Sequence, residues 1–321
     1  MKSISKILTP ARKGVRLTAA ALLLIVTAPA VKAQEWYIPR YIIGDVGGGL
    51  QTIQFNPHDG KHNVGVGFRL NGSAVFMIDS HWGVNAGIGV ARYASKAKYN
   101  DMRESSVAYD SNINAKLLDT TMMVNPTYTF CTEFKDFTEK QNLLQIEIPV
   151  TAYFQYPFNS KFDVIGRAGF KFGIPVISKY KLMIGTYETS AEFADMNGKG
   201  LNVEIKNLPA SEMRKFGFST VEADKEKGKC KLNPVNLSLT LEGGASYRLS
   251  KAFRAFAGLQ FSYCLTNIHK ETVAPLLTPE REYNGTLRSS RVDRASLLSV
   301  GLTAGLIWEY RATYIRTKPK F

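Results

Sequence analysis

Apolar and polar residues alternate with a period of two along most of the chain. In Asn63–Ile78, the residues Val64, Val66, Phe68, Leu70, Ala74, Phe76 and Ile78 fall on one face. Gly65, Gly67, Arg69, Asn71 and Ser73 fall on the other. The segment is about 16 residues long, against the 5 or 6 typical of soluble strands. Seven more segments read the same way: Ile42–Gln54, Gly83–Tyr99, Leu144–Tyr156, Phe162–Ser178, Val235–Leu249, Phe253–Ile268 and Ala295–Tyr310. Three of the connections are tight, at Asp79–His81, Pro157–Lys161 and Ser250–Ala252. They alternate with much longer ones, the three largest at about 101–141, 179–234 and 269–294, although Ser105–Phe130 could extend strands above the membrane. A soluble sandwich has no reason to gather its long loops at one end, although some do. An even number of long alternating strands with short turns at one end predicts a transmembrane antiparallel up-and-down β-barrel of about eight strands, an all-β fold.

A repeat surrounds each tight turn. GSAVFMIDSHWGVNAGIGV, VTAYFQYPFNSKFDVIGRAGF and GGASYRLSKAFRAFAGLQF each place an aromatic residue on either side of a polar turn. Phe76, Trp82, Tyr156, Phe162, Tyr247 and Phe253 would then form a girdle at one membrane interface. Ordinary cross-strand aromatic pairing is the alternative.

The N-terminus changes the count of elements. Lys2, Lys6, Arg12, Lys13 and Arg16 precede an apolar run, Leu17–Pro29, which ends before the small-x-small site Val31-Lys32-Ala33. That run is shorter than the roughly 20 residues a membrane helix needs, so residues 1–33 are expected to be a cleaved export signal. Its removal takes six of the 41 Lys and Arg and none of the 27 Asp and Glu, so the formal charge falls from +14 to +8. For an exported protein the partner of that surplus is an anionic lipid or polysaccharide surface, with outer-membrane lipid and lipopolysaccharide expected and nucleic acid not. The barrel is expected over 34–311, with 312–321 a short basic periplasmic tail.

The glycine-rich Gly44–Leu50 (GDVGGGL), the turn Ser80-His81-Trp82-Gly83, IEIPV at Ile146–Val150 and the segment Leu201–Ser219 together resemble OmpA-like eight-stranded outer-membrane barrels with long surface loops. The likeness covers nearly all of the chain after the signal. It implies residence in the outer membrane of a Gram-negative bacterium. Thr303–Tyr310 is also similar to the closing-strand signal read by the barrel assembly machinery, with Gly305, Trp308 and Tyr310 at its marked positions. That machinery is therefore an expected partner during biogenesis. Relatives often continue into a peptidoglycan-gripping domain; only the short basic tail stands in that place here, so that role is not carried over.

Strand parity turns Asp45, Arg69, Glu147, Arg167, Lys171, Glu242 and Glu309 into the lumen, because a charge on the lipid face costs a few kcal/mol near the midplane. Such a network could plug the barrel, or it could gate a narrow pore for small solutes. Cys131 and Cys230, in the two largest loops, could form a disulfide in an oxidising compartment, while Cys264 has lumen parity. His58 and His62 with Asp59 have no helix to bring them together, and no nucleophile motif accompanies them. The run Gly47–Gly49 opens into a strand without the Gly-Lys-Ser/Thr of a phosphate loop. No catalytic residue, metal site or cofactor is therefore expected. The long loops could bind an extracellular ligand or serve as variable, solvated cover. The expected function is non-enzymatic, structural or surface-interacting, with a porin-like channel as the alternative.

Overall fold

The computed structural model describes residues 40–111, 124–195, 202–205, 218, 220–222, 227–270, 274–280 and 282–310. The expected signal segment, 1–33, and the basic tail, 312–321, lie outside the described residues. Among the described residues thirteen strands are formed. They are β1 (Arg40–Phe55), β2 (Gly60–Val64), β3 (Val66–Met77), β4 (Trp82–Tyr99), β5 (Met102–Tyr109), β6 (Val124–Pro157) and β7 (Phe162–Asp195), then β8 (Asn202–Ile205), β9 (Thr220–Glu222), β10 (Lys227–Lys229), β11 (Asn236–Arg248), β12 (Phe253–Cys264) and β13 (Ala295–Tyr310).

Eight of these close a ring in the order β1-β3-β4-β6-β7-β11-β12-β13 and back to β1, every pairing antiparallel. The closing pair runs in register from Arg40↔Tyr310 to Phe55↔Ala295, so the wall has no free edge. Closure matters because hydrocarbon offers backbone groups no other partner. No helix among the described residues is long and apolar enough to cross a membrane.

Each wall strand obeys the period of two. On β4, Trp82, Val84, Ile88 and Val90 are exposed to the outside, while Asn85, Ala91 and Tyr93 are buried inside. On β3, Val66, Phe68 and Leu70 are more than half exposed, whereas Arg69 between them is buried. The three tight turns share one device, which explains the sequence repeat. Asp79 Oδ1 accepts from the amides of His81 and Trp82, both at 2.7 Å. Asn159 Oδ1 accepts from Lys161 and Phe162 at 2.9 and 2.8 Å, and Ser250 Oγ from Ala252 and Phe253 at 3.3 and 3.1 Å. A short polar side chain at the start of each turn thus fixes its own backbone. The flanking aromatics pair between neighbouring hairpins, as in Phe162 with Tyr247 and Phe253 with Trp308.

The long-loop end departs from expectation. Much of 101–141 and 179–234 is sheet rather than loop: β6 and β7 are 34 residues each and continue as a paired hairpin beyond the apolar belt. β5 extends this sheet on one side, and β8, β9 and β10 on the other. Alternation persists here with its outer face made polar. Thr129, Glu133, Lys135, Glu188 and Glu192 point out, and Phe130, Phe134, Phe137, Tyr187 and Phe193 point in, Phe130 and Phe193 against Phe218. Polar outward residues make such a stretch read as loop, although the inward column still buries a core. Register shifts at Lys135/Thr138 and Leu144/Gln145 let the hairpin bend.

In the third expected loop, 269–294, the described residues 274–280 and 282–292 fold down over the mouth. Leu276, Leu277, Tyr283, Leu287 and Val292 are buried in the same core. Gly285 makes the tight approach possible: its φ is 78°, and a Cβ there would meet the Tyr180 ring at 2.5 Å.

Inward and outward glycines predict opposite tolerance. A Cβ on Gly301 would stand 2.1 Å from the Gly48 carbonyl oxygen, whereas one on Gly44 meets nothing within 4 Å. Gly301→Ala should lower the unfolding free energy in lipid vesicles by about 1–3 kcal/mol, and Gly44→Ala should not lower it. Urea unfolding of the two variants checks this; equal effects would contradict the assignment of faces.

Candidate functional site

The lumen collects side chains that the lipid-facing surface excludes. Asp45 on β1, Arg69 on β3, Arg167 on β7 and Glu242 on β11 all carry inward parity and meet in the middle. Arg69 bonds Asp45 at 3.3 Å and Glu242 at 2.5 Å. Arg167 bonds Asp45 at 3.0 Å and also pairs with Glu242, its direct cross-strand partner. Asn71 donates a further bond to Asp45 at 3.1 Å, and the Arg167 guanidinium lies over the Phe256 ring. Two acids and two bases, each at most one-tenth exposed, sum to zero charge. Desolvation is tolerable only because every charge faces two of opposite sign.

The other predicted residues divide between two further groups. Lys171 Nζ bonds Glu147 at 2.9 Å, and Tyr93 and Gln145 each donate to Glu147 at 2.8 Å. Glu309 is not part of the central quartet. It sits at the short-turn end with Arg254, at 3.1 Å, and Arg254 also bonds Asp163 at 2.7 Å. Asp163 and Arg254 escaped the sequence reading, though both have the inward parity that marks the others. Each follows directly on a girdle aromatic, Phe162 or Phe253. Between the quartet and the Lys171–Glu147 pair lies a cavity of about 20 Å³, lined in part by Asn85, Thr151 and Thr240. That is room for about one water. A second void of about 10 Å³ lies beside Arg167, Glu242 and Phe256, and Tyr41, Ile43, Val75, Tyr153 and Ile307 fill the short-turn end.

Above the belt, two buried carboxylates hold the folded-down 274–292 segment. Glu139 accepts from the Tyr283 hydroxyl, from the Thr286 amide at 2.9 Å and from Gln141 at 2.6 Å. Glu104 accepts from the Leu276 amide at 2.8 Å and Arg291 Nε at 3.0 Å. Burial pushes the Glu139 carboxyl above its ordinary range, against the pull of its donors. Neither residue was singled out by sequence, because both lay in what read as a loop.

The possible Cys131–Cys230 bridge is not formed; all three cysteines are free, buried thiols. Cys131 pairs with Ser190 of β7, while the Cys230 amide bonds the carbonyl of Ser178. Twelve residues of strand separate those levels, roughly 40 Å at about 3.3 Å per residue, far beyond a disulfide's reach. Burial also pushes the Cys230 thiol up to about 12 and raises that of Cys131. Cys264 is buried, its sulfur 3.3 Å from the Thr266 carbonyl oxygen.

Trp308 and Tyr310 face outward at the short-turn end, ring centroids 5.7 Å apart, and Gly305 faces inward against Phe256. The histidines do not converge. His58 bonds Asp293 at 3.0 Å, and His62 bonds the Ile53 carbonyl at 2.8 Å and packs on Phe55. Among the described residues no three His, Cys, Asp or Glu side chains are grouped to hold a metal. The arrangement is suited to filling and neutralising a lumen.

A family model for the outer membrane protein beta-barrel domain matches residues 18–286. Similar solved structures include neisserial surface protein A (NspA), 12% identical, covering 84% of this chain and 97% of that one with a TM-score of 0.34. Ail, the attachment invasion locus protein of Yersinia pestis, is 10% identical, covering 85% and 98% with a TM-score of 0.27. The translocator domain of the autotransporter NalP from Neisseria meningitidis is 8% identical, covering 94% and 98% with a TM-score of 0.23. No curated protein matches the sequence.

The raised pKa of Glu139 predicts a pH-dependent mouth. Because the folded-state value lies above the unfolded one, its contribution is full below the ordinary carboxylate range and is lost as pH rises through the raised value. Amide hydrogen exchange over 274–292 should therefore quicken as pH rises, beyond the intrinsic base catalysis seen in an unfolded control. Glu139→Gln should remove that excess. An excess identical in the variant would contradict the assignment.

Proposed function

The chain belongs to the outer membrane protein β-barrel domain family, an integral outer-membrane class, and on that premise we propose that it is a non-enzymatic scaffold with a closed lumen. Its role is structural or surface-interacting, exercised through the sheet that β5 to β10 raise above the membrane. In this reading residues 1–33 are removed on export, and the barrel assembly machinery reads Gly305, Trp308 and Tyr310. The short turns lie in the periplasm and the long connections outside. Outer-membrane lipid and lipopolysaccharide surround the wall, and an extracellular ligand meets the raised sheet.

The observation that carries this reading is the filling of the lumen. Three charge groups occupy successive levels, a cavity of about 20 Å³ remains beside the quartet, and the 274–292 segment covers the mouth. A narrow channel is the competing reading, since exchange between paired charges could open a path through the same polar side chains. Planar-bilayer recording of the refolded protein separates the two. The scaffold reading predicts no discrete steps at moderate voltage. Reproducible steps whose size shifts on replacing Arg69 or Glu242 would overturn it in favour of the channel.

A further inference from the structure

Just beyond the apolar belt the wall carries a row of lysines that no strand-level reading reveals. Lys96 of β4 is the direct cross-strand partner of Lys140 on β6. Lys140 is in turn opposite Lys181 on β7, and Lys181 is opposite Lys227 on β10. Four ammonium groups thus stand side by side across four adjacent strands, over about 15 Å at the usual strand spacing. Their direction is outward. The neighbours Ser95, Ala97, Glu139, Gln141, Tyr180 and Leu182 are all buried on the inner face. Lys179 and Lys229, paired with each other one step nearer the membrane, are exposed as well.

Like charges directly opposite one another destabilise a sheet. Among the described residues none of the four has an ion pair with a carboxylate. The nearest exposed acid along the same hairpin, Asp136 at the β6 bulge, lies further from the membrane than the row, as do Glu133 and Glu188, which Lys135 engages at 3.8 and 3.3 Å. Among the described residues the row is therefore a stripe of positive charge without an ion-paired acid, directly above the outward apolar residues of the wall. Below it stand the outward apolar residues Val90, Ile174 and Ile177. The β11–β1 side shows no comparable row among the described residues, so the stripe faces one direction.

We propose that the Lys96–Lys140–Lys181–Lys227 row is a binding site for the phosphorylated sugar headgroup of an outer-leaflet glycolipid. Acyl chains lie on the apolar wall below, and the phosphates bridge successive lysines. Cross-strand repulsion then becomes shared attraction to one polyanion, and the charge that weakens the isolated sheet strengthens it in the membrane. This inference rests on the outer-membrane scaffold reading and specifies its lipid partner.

The test is titration of the detergent-folded full chain with bisphosphorylated lipid A and with the same lipid enzymatically dephosphorylated. Saturable binding of the first, weakened about tenfold or more on removing the phosphates, is expected. Lys140→Gln/Lys181→Gln should weaken phosphorylated-lipid binding by a similar factor. Both changes remove like-charge contacts, so heat-modifiable gel mobility should show the variant folded; the single Lys227→Gln serves as a milder second variant. Equal binding of both lipids, or undiminished binding by the folded double variant, overturns the proposal, as does equally tight binding of inorganic phosphate alone. A chain that fails to insert as a barrel into bilayers would instead overturn the scaffold reading, a result visible in gel mobility before any titration.

Discussion

Everything in this molecule follows from the exclusion of charge from hydrocarbon. A wall one strand thick has only two faces, and period-two geometry sends every second side chain to each. Once Val66, Phe68 and Leu70 face lipid, Arg69 has nowhere to go but inward, and the same holds for Asp45, Arg167 and Glu242. A ring of eight strands is just wide enough for side chains to meet across it. Around the middle of the lumen the charges must then balance in small groups, because little solvent is left there to screen an unpaired ion. The surplus acid of the Arg254 group, Glu309, sits at the short-turn end and is partly exposed. The quartet meets this condition with two acids and two bases; Lys171 with Glu147 repeats it one level away.

The same strands change purpose without breaking where the membrane ends. Along β6 and β7 the outer face turns from Ile146 and Phe172 to Lys140 and Lys181, then to Glu133 and Glu188. The inner face turns the other way, from Glu147 and Lys171 to Phe134, Phe137 and Tyr187. Polarity inverts because the solvent inverts: the part in water needs an apolar core, and the part in lipid needs a polar one. Glu139 and Glu104 stand near this crossover and fasten the mouth-covering segment to the wall.

Parity made much of this legible from sequence. The strand segments, the tight turns and the inward face of each charged residue all follow from local alternation and turn chemistry. Height and neighbourhood do not, because they depend on register between strands far apart in the chain. Nothing local places Glu309 with Arg254 and Asp163 instead of with Arg69, or aligns Lys96 with Lys140 and Lys181. The separation of Cys131 from Cys230 is likewise set by positions along β7. Beyond Ser105–Phe130, which can extend strands, the upper hairpin reads as loop because Glu133 and Lys135 look like solvent-exposed chain; the aromatic column behind them carries the opposite signal.

A double-mutant cycle on Arg69 and Glu242 tests the charge lattice most directly. Arg69→Met and Glu242→Leu should each lower the unfolding free energy in lipid vesicles by about 3–5 kcal/mol, since each strands an opposite charge in the lumen. The double variant should lose well under the sum, with a coupling on the order of 2 kcal/mol or more. Two small losses that simply add would mean the lumen charges are solvated and independent, and that something else fills the barrel.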